Sequence, residues 1–321
     1  MTKSALITGG RGFVGTRLCS KLREREWRVV VGSRHPVPAA DATNITATCL
    51  PLSTDPARWQ EALRSIDCVV HLAAQVHLMG RNRASDSEYD TINVEGSRFV
   101  AEQSALAGVK RLVFLSSAKV NGEGSSSSAY RAEDPAEPGD AYGRSKLAAE
   151  GVIAEICARS GMEFSIIRPP LVYGPGVRAN FYRLLRMVEL GWPLPFASIR
   201  NRRSLVGVGN LVDFIETCMV HPLAAGRVWL VADGDDLSTP ELMRRLAGIM
   251  HRPSRLFSCP PSVLKAATSL MGRGEEASRL CDSFVLDTRP ARDVLGWLAP
   301  MRVDEGLRQT VEEYLTRPKN N

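Results

Sequence analysis

No apolar run in this chain comes near the ~20 residues that a membrane-spanning helix needs, so no integral membrane segment is expected. Lysine and arginine form no long run, and no basic stripe is interleaved with aromatics, so nucleic acid is not an expected partner. The formal net charge of +6 suits an anionic small molecule equally well. The seven cysteines, at positions 19, 49, 68, 157, 218, 259 and 281, include no pair with the close spacing of a zinc knuckle or a redox motif. They read as reduced thiols of a cytoplasmic protein. The N-terminus shows no signal-peptide pattern, which agrees with that location. Internal repeats are missing, and the serine run at 125–128 reads as a surface loop. What remains is 321 residues, 44% of them hydrophobic, enough for one large domain or two coupled ones.

The most informative stretch is Thr8-Gly9-Gly10-Arg11-Gly12-Phe13-Val14-Gly15. It follows a short apolar run, residues 5–7, and precedes a helical spacing of Phe13, Val14, Leu18 and Leu22. The pattern is a strand, a glycine turn and a helix opening. Glycine accepts backbone conformations that a Cβ resists. A helix that starts there aims unpaired N–H groups and the positive end of its dipole at the turn, a seat for a pyrophosphate. The spacing alone would equally serve a tight turn with no ligand; its place after an N-terminal strand favours the nucleotide reading.

The first half alternates strands and helices. Strands are expected at 28–32, 45–50, 67–74, 112–116 and 164–168, with helices at 56–63, 93–108 and 141–161. The run at 67–74 is apolar without alternation, as in a sheet covered on both faces. Such alternation implies an α/β fold with a doubly wound parallel sheet, whose ligands lie beyond the carboxyl ends of the strands. After Pro170 the pattern loosens. A turn is expected at 173–176, helices at 181–190, 211–220, 239–250, 262–271 and 304–315, and strands at 201–208 and 228–232. These later segments read as a smaller second domain interleaved with returns to the sheet. The stripe Leu264, Ala267, Leu270 and Met271 could lie on a membrane surface, but its spacing reads first as core packing.

Chemistry enters with Tyr142-Gly143-Arg144-Ser145-Lys146. Residues four apart share a helix face, so the phenol and the ammonium can point into one cleft. A free tyrosine, with a pKa of about 10, is a poor base at neutral pH. A nearby positive charge favours the phenolate and makes tyrosine usable in proton transfer. Ser117, at the end of the 112–116 strand, could hydrogen-bond the same substrate oxygen.

With these residues the chain resembles the extended short-chain dehydrogenase/reductases, the group of nucleotide-sugar epimerases, dehydratases and reductases. The resemblance rests on the glycine turn, on Asp67-x-Val69-x-His71-Leu72-Ala73-Ala74, on Asn93-Val94-x-Gly96, on Leu115-Ser116-Ser117, on Tyr142-x-x-x-Lys146, and on Arg168-Pro169 before Val172-Tyr173-Gly174-Pro175. Leu295-Gly296-Trp297 with Glu305-Gly306-Leu307 is similar to the family's C-terminal signature. The resemblance implies a Rossmann-type domain over 1–170 with a return segment at 204–232, and a smaller α/β substrate domain from 171–203 and 233–321. It implies a catalytic Ser117, Tyr142 and Lys146, with Asn93 helping to fix the active-site region. It also implies a cofactor held by Gly9, Gly12, Phe13, Val14 and Gly15, with Ser33, Arg34, Leu52, Leu72, Ala73 and Ala74 along its length and Tyr142 and Lys146 at its nicotinamide end, and a substrate contact for Ser117. A homodimer through the two long helices would be usual for the family.

Two departures bear on the cofactor. Where many relatives end strand two with an aspartate, this chain reads Gly32-Ser33-Arg34, and an arginine there can meet a 2′-phosphate. NADP(H) is therefore favoured, with NAD(H) possible. The adenine-side aspartate after strand three is replaced by Cys49-Leu50-Pro51-Leu52. On the substrate side, Arg202-Arg203-Ser204-Leu205-Val206 resembles the strand whose arginine, here Arg203, holds a nucleotide diphosphate; a guanidinium fork matches phosphate oxygens. Arg279 is a second candidate contact, and His77 in the loop after the fourth strand is the residue expected near the sugar, although a lone histidine is more often structural.

The leading expectation is an NADP(H)-dependent reductase of a 4-keto nucleotide sugar, such as a UDP-4-keto-6-deoxy-N-acetylhexosamine in surface-polysaccharide synthesis. It rests partly on Asn121, which stands where epimerases commonly have tyrosine. The second is a UDP-hexose or UDP-N-acetylhexosamine 4-epimerase. Reduction of a non-sugar ketone is a third, and a catalytically silent dinucleotide sensor is the alternative outside enzymes.

Overall fold

The computed structural model describes residues 3–33, 45–49, 55–75, 85–124, 128–270 and 274–317. Its centre is a seven-stranded sheet. In chain order the strands are β1 (Ser4–Thr8), β2 (Arg28–Ser33), β3 (Ile45–Cys49), β4 (Cys68–His71), β5 (Arg111–Leu115), β6 (Glu163–Arg168) and, from much later, β9 (Arg227–Leu230). They lie in the order β3-β2-β1-β4-β5-β6-β9, and every pairing is parallel. The order reverses between β1 and β4, which opens a crevice beyond their carboxyl ends.

Helices cover both faces, and the strands read accordingly. Ala5, Ile7, Val29, Val31, Cys68 and Val70 face one core with helices α1 (Phe13–Glu24) and α7 (Val208–Val220). The residues between them, Leu6, Val30 and Val69, face the other, with α2 (Pro56–Ala62), α4 (Gly96–Leu106) and α5 (Ala141–Ser160). Two-sided burial accounts for the unbroken apolar runs. Between α3 (Asp86–Tyr89) and α4 the chain makes a π-helical stretch, Asp90–Glu95.

A third core belongs to the segments after Pro170. It joins α6 (Ala179–Glu189), α8 (Thr239–Ile249) and α12 (Val303–Thr316) around Tyr173, Phe181, Leu246 and Leu307. A two-stranded parallel pair, β7 (Leu171–Tyr173) with β8 (Leu205–Gly207), lies beside it. The expected strand at 201–208 is thus reduced to three residues; 201–204 is extended and bridges Leu237 and Phe284 through Arg203. The turn expected at 173–176 starts one residue later, at Gly174, since Tyr173 belongs to β7. The return segment splits its loyalties, with β8 outside the large sheet and α7 and β9 on it. Helix α11 (Arg289–Leu295) and Trp297 also pack on the sheet core.

Packing differs from expectation in α9 (Pro261–Leu270). Leu264 touches the third core, but Ala267 and Leu270 are exposed, and Met271 lies outside the described residues. The helix leans on α10 (Gly274–Cys281) and meets the core along one edge only. No described helix is long and apolar enough to cross a membrane.

Candidate active site

The glycine turn packs backbone against backbone. Gly9 has φ +68°, a left-handed conformation, and the Gly12 N–H donates to its carbonyl at 2.9 Å. A Cβ on Gly9 would stand 2.8 Å from the Ala73 nitrogen, and one on Gly15 would stand 2.3 Å from the Gly9 oxygen. The turn is therefore pinched between the start of α1 and the residue after β4, which leaves no room for side chains. Gly12 caps α1 without a side-chain bond, and no acidic residue sits in the first turn, so the helix end is suited to an external anion. This cradle fits a dinucleotide pyrophosphate. Leu72, Ala73 and Ala74 follow β4 half-buried beside it, Phe13 and Val14 begin α1, and Ser33 ends β2. Arg34, Leu52 and His77 lie outside the described residues.

A directional hydrogen-bond chain locks the strand ends behind this crevice. The Ala73 N–H donates to Thr8 Oγ1 at 3.2 Å, and Thr8 Oγ1 meets His71 Nδ1 at 2.6 Å. On the other side His71 Nε2 meets Ser97 Oγ at 3.0 Å, while the Ser97 hydroxyl donates to the Asn93 carbonyl at 2.5 Å. Since Ser97 spends its proton on a carbonyl, it accepts from Nε2–H, which leaves Nδ1 to accept from Thr8. His71 is neutral: full burial, with a smaller push from Lys146, takes its pKa down to about 3. Asn93, in the π-helical stretch, bonds Gln75 in both directions, at 2.8 and 3.1 Å, and donates to Ser145 of α5 at 2.9 Å. It ties the loop after β4 to the helix that carries Tyr142.

Ser117 lies two residues beyond β5, and Tyr142 and Lys146 lie in the first two turns of α5. Lys146 is buried; its ammonium donates to the Leu115 carbonyl at 2.8 Å and lies 4.5 Å from the Phe114 ring centroid. Burial takes its pKa down to about 7, against an opposing pull from Glu150 one turn further on. The Tyr142 phenol is pushed up, first by burial and then by the Asp140 carboxylate; a hydrogen bond with Ser117 acts in the opposite direction. Below them Ser116 donates to Glu150, and Arg168 grips the same carboxylate at 2.6 Å. Arg168 also donates to Asn121 at 3.1 Å, and Asn121 in turn donates to the Arg131 carbonyl at 2.8 Å. Asn121 is thus a buried bracket for the chain.

Ser117 opens on the other side into a cavity of about 360 Å³ between the two halves. Lys119, Asn180, Arg183, Arg203 and Arg279 line it, with Glu123 the acidic residue among them. Arg203 is held by backbone bonds to Leu237 at 3.0 and 3.1 Å, donates to the Asp282 carbonyl at 2.8 Å, and lies over the Phe284 ring. Burial takes its pKa down to about 10; Asp282 opposes and Arg279 adds to the shift. Arg202 turns to the surface and pairs with Asp236 at 3.1 Å. Sequence reasoning missed Asn180, Arg183 and Lys119. The first two sit on the amphipathic helix α6, where an Asn-x-x-Arg face was readable, but nothing local showed which way it pointed.

Comparison with known proteins agrees with this geometry. Residues 5–232 match the model of the NAD dependent epimerase/dehydratase family. The chain is 40% identical to a UDP-glucose 4-epimerase of Vibrio cholerae, over 98% of this chain and 96% of that one. It is 26% identical to the N-acetyl-alpha-D-glucosaminyl-diphospho-ditrans,octacis-undecaprenol 4-epimerase of Escherichia coli O157:H7, over 100% of this chain and 98% of the relative. Among solved structures, MoeE5 in complex with UDP-glucuronic acid and NAD superposes with a TM-score of 0.76 at 28% identity, covering 97% of this chain and 98% of its own. A crevice floored by a glycine turn, a Ser–Tyr–Lys set at its edge and an arginine-lined cavity beyond it suit that company: the chain belongs to the NAD-dependent epimerase/dehydratase family, as an enzyme of the nucleotide-sugar epimerase/dehydratase type.

Proposed function

We propose that the protein is a 4-epimerase of a hexose carried on a diphosphate, with a UDP-hexose as its first substrate. The observation that carries this reading is the position of Ser117, which lies two residues beyond the Leu115 carbonyl held by Lys146 and lines the cavity that Lys119, Arg183, Arg203 and Arg279 also line. A sugar held there by its diphosphate presents a ring hydroxyl to Ser117 and Tyr142 by orientation alone. Arg203 and Arg279 supply the guanidinium forks for the diphosphate.

Gly9, Gly12, Gly15 and residues 72–74 would hold a nicotinamide dinucleotide, which supplies a hydride acceptor and donor when bound. As the phenolate, Tyr142 would take the proton from the sugar C4 hydroxyl, and the phenol so formed would return it to the C4 oxygen after hydride is delivered to the other face. Ser117 holds the same oxygen by a hydrogen bond. Lys146, buried one helical turn further along α5, would supply the positive charge that favours the phenolate. The names of two relatives, both 4-epimerases, support reading epimerisation ahead of net reduction, and the Asn121 side chain is engaged with Arg168 and the Arg131 carbonyl.

Net reduction of a 4-keto nucleotide sugar with NADPH is the second reading, supported by Arg34 after β2. Purified protein given UDP-glucose or UDP-N-acetylglucosamine with catalytic NAD is expected to form the C4 epimer, read by proton NMR. Consumption of NADPH with a 4-keto UDP-sugar, and no epimer from either hexose, would establish the reductase instead. Arg34→Ala is expected to weaken NADP binding about tenfold and leave NAD binding unchanged if that arginine meets the 2′-phosphate.

A further inference from the structure

The first turn of α5 is held by a carboxylate that faces two ways. Asp140 is buried, 7% exposed, and it precedes Tyr142 by two residues. Its Oδ1 accepts from the Gly143 N–H at 2.7 Å, capping the helix. Its Oδ2 accepts from Lys119 Nζ and lies 3.9 Å from Arg279 Nη2. Lys119 and Arg279 both line the cavity, and Lys119 also pairs with Glu123 at 2.7 Å. A helix cap needs only one oxygen and no charge, since asparagine and serine serve as well. A buried carboxylate shared with two cavity cations asks for a further role.

We propose that Asp140 is a positioning residue that links the anion-binding cavity to Tyr142, its one oxygen fixing the helix turn that carries the phenol and its other oxygen restraining the cations that meet a substrate diphosphate. Without substrate, Lys119 and Arg279 neutralise Asp140. A diphosphate in the cavity competes for the same two cations. Their attachment to Asp140 therefore lowers anion affinity, and their departure leaves the carboxylate's charge to act on the phenol. The charged and titratable groups that bear on the phenol are Asp140, which caps its helix, and Tyr89 of α3, whose ring centroid lies 6.1 Å from that of Tyr142; Lys146 follows one turn later on the same helix. Lys119, Glu123 and Arg279 bear on it through Asp140. The part that concerns the phenol rests on the epimerase reading; the part that concerns the cavity does not.

The test uses the full-length protein and UDP as the probe. Asp140→Asn keeps an acceptor for the Gly143 N–H and removes the charge. It is expected to bind UDP roughly three- to fivefold more tightly by calorimetry, the reach of one partly screened charge. That gain is expected to disappear in the Lys119→Met/Arg279→Met background, where the restrained cations are gone. In turnover, the acid limb of the Asp140→Asn pH profile is expected to move down by about half a unit to one unit, and that of Lys119→Met to move up. Unchanged UDP affinity in Asp140→Asn, or a gain that persists without the two cations, would overturn the link to the cavity. Altered UDP affinity with an unmoved pH profile would overturn the link to Tyr142 and leave Asp140 a cap with a cavity role. If no UDP-sugar turns over in the wild type while the affinity effects hold, the functional reading fails and the cavity link stands. Asp140→Ala, which loses the cap as well, calibrates the structural part through its thermal midpoint.

Discussion

The crevice beside the large sheet and the cavity beyond β7 and β8, proposed above for the cofactor and the sugar diphosphate, are built in different ways. The crevice is made of backbone: a glycine at φ +68°, a helix end without a side-chain cap and a Cβ-excluding contact between Gly15 and Gly9 within eight consecutive residues, with Ala73 closing on Gly9 from beyond β4. The cavity is made of long side chains from remote segments, Lys119, Arg183, Arg203 and Arg279 among them. A backbone site tolerates almost nothing and reads out of a short string. A side-chain site can be tuned one residue at a time.

Tyr142 stands at the seam, and its loss should cut deepest into chemistry while sparing both sites. Tyr142→Phe is expected to lower kcat by about a thousandfold or more, in the upper range for a lost acid–base group, with UDP and NAD affinities unchanged by calorimetry. A variant with near-normal turnover would remove the phenol from the mechanism. Next in size is the buried pair beneath it. Glu150→Gln leaves the Arg168 guanidinium without its counter-charge, and a loss of about 3–5 kcal/mol in unfolding free energy is expected by denaturant titration. A loss under 1 kcal/mol would mean that Asn121 and the neighbouring carbonyls satisfy Arg168 unaided.

The contrast between the halves is sharpened by a pair of variants. Gly15→Ala is expected to abolish NAD binding, because its Cβ has only 2.3 Å to the Gly9 oxygen, while UDP binding persists. Arg203→Met is expected to do the reverse, raising the sugar-diphosphate KM about tenfold to a hundredfold with kcat nearly unchanged. If either variant lost both ligands, the two sites would not be separable. The smallest effect concerns His71, neutral in the fold with a pKa near 3 against 6.5 in a free chain. Between these values the unfolded state binds the extra proton, so stability falls as pH drops. The slope from this one group is about 1.4 kcal/mol per pH unit. His71→Gln should flatten the acid limb of the stability curve by that amount.

What the sequence makes legible follows the same division. The glycine turn, the strands of the sheet and the Tyr142–Lys146 spacing each lie within one local segment, where periodicity and backbone constraint speak directly. The two-sided burial of β4 was visible in residues 68–71 because a covered strand has no polar alternation. The cavity was legible only where the family resemblance pointed, at Arg203 and Arg279. Asn180 and Arg183 were hidden because an amphipathic helix shows that it has a polar face, never what that face meets. Asp140 and Lys119 come together across 21 residues, and each alone reads as a surface charge. Helix α9 shows the opposite failure. Its stripe has the period of a core helix, yet Leu270 is 91% exposed, because period reports amphipathicity and tertiary contact decides burial.

The central claim is that Tyr142 and Ser117 turn over a diphosphate-linked hexose at C4 with no net redox change. UDP-glucose deuterated at C4, incubated with the holoenzyme, tests it most directly. The account predicts UDP-galactose that keeps its deuterium at C4, formed without lasting change in nicotinamide absorbance at 340 nm (about the band of the reduced ring). Deuterium lost to water, or absorbance that rises or falls in step with product, would contradict it.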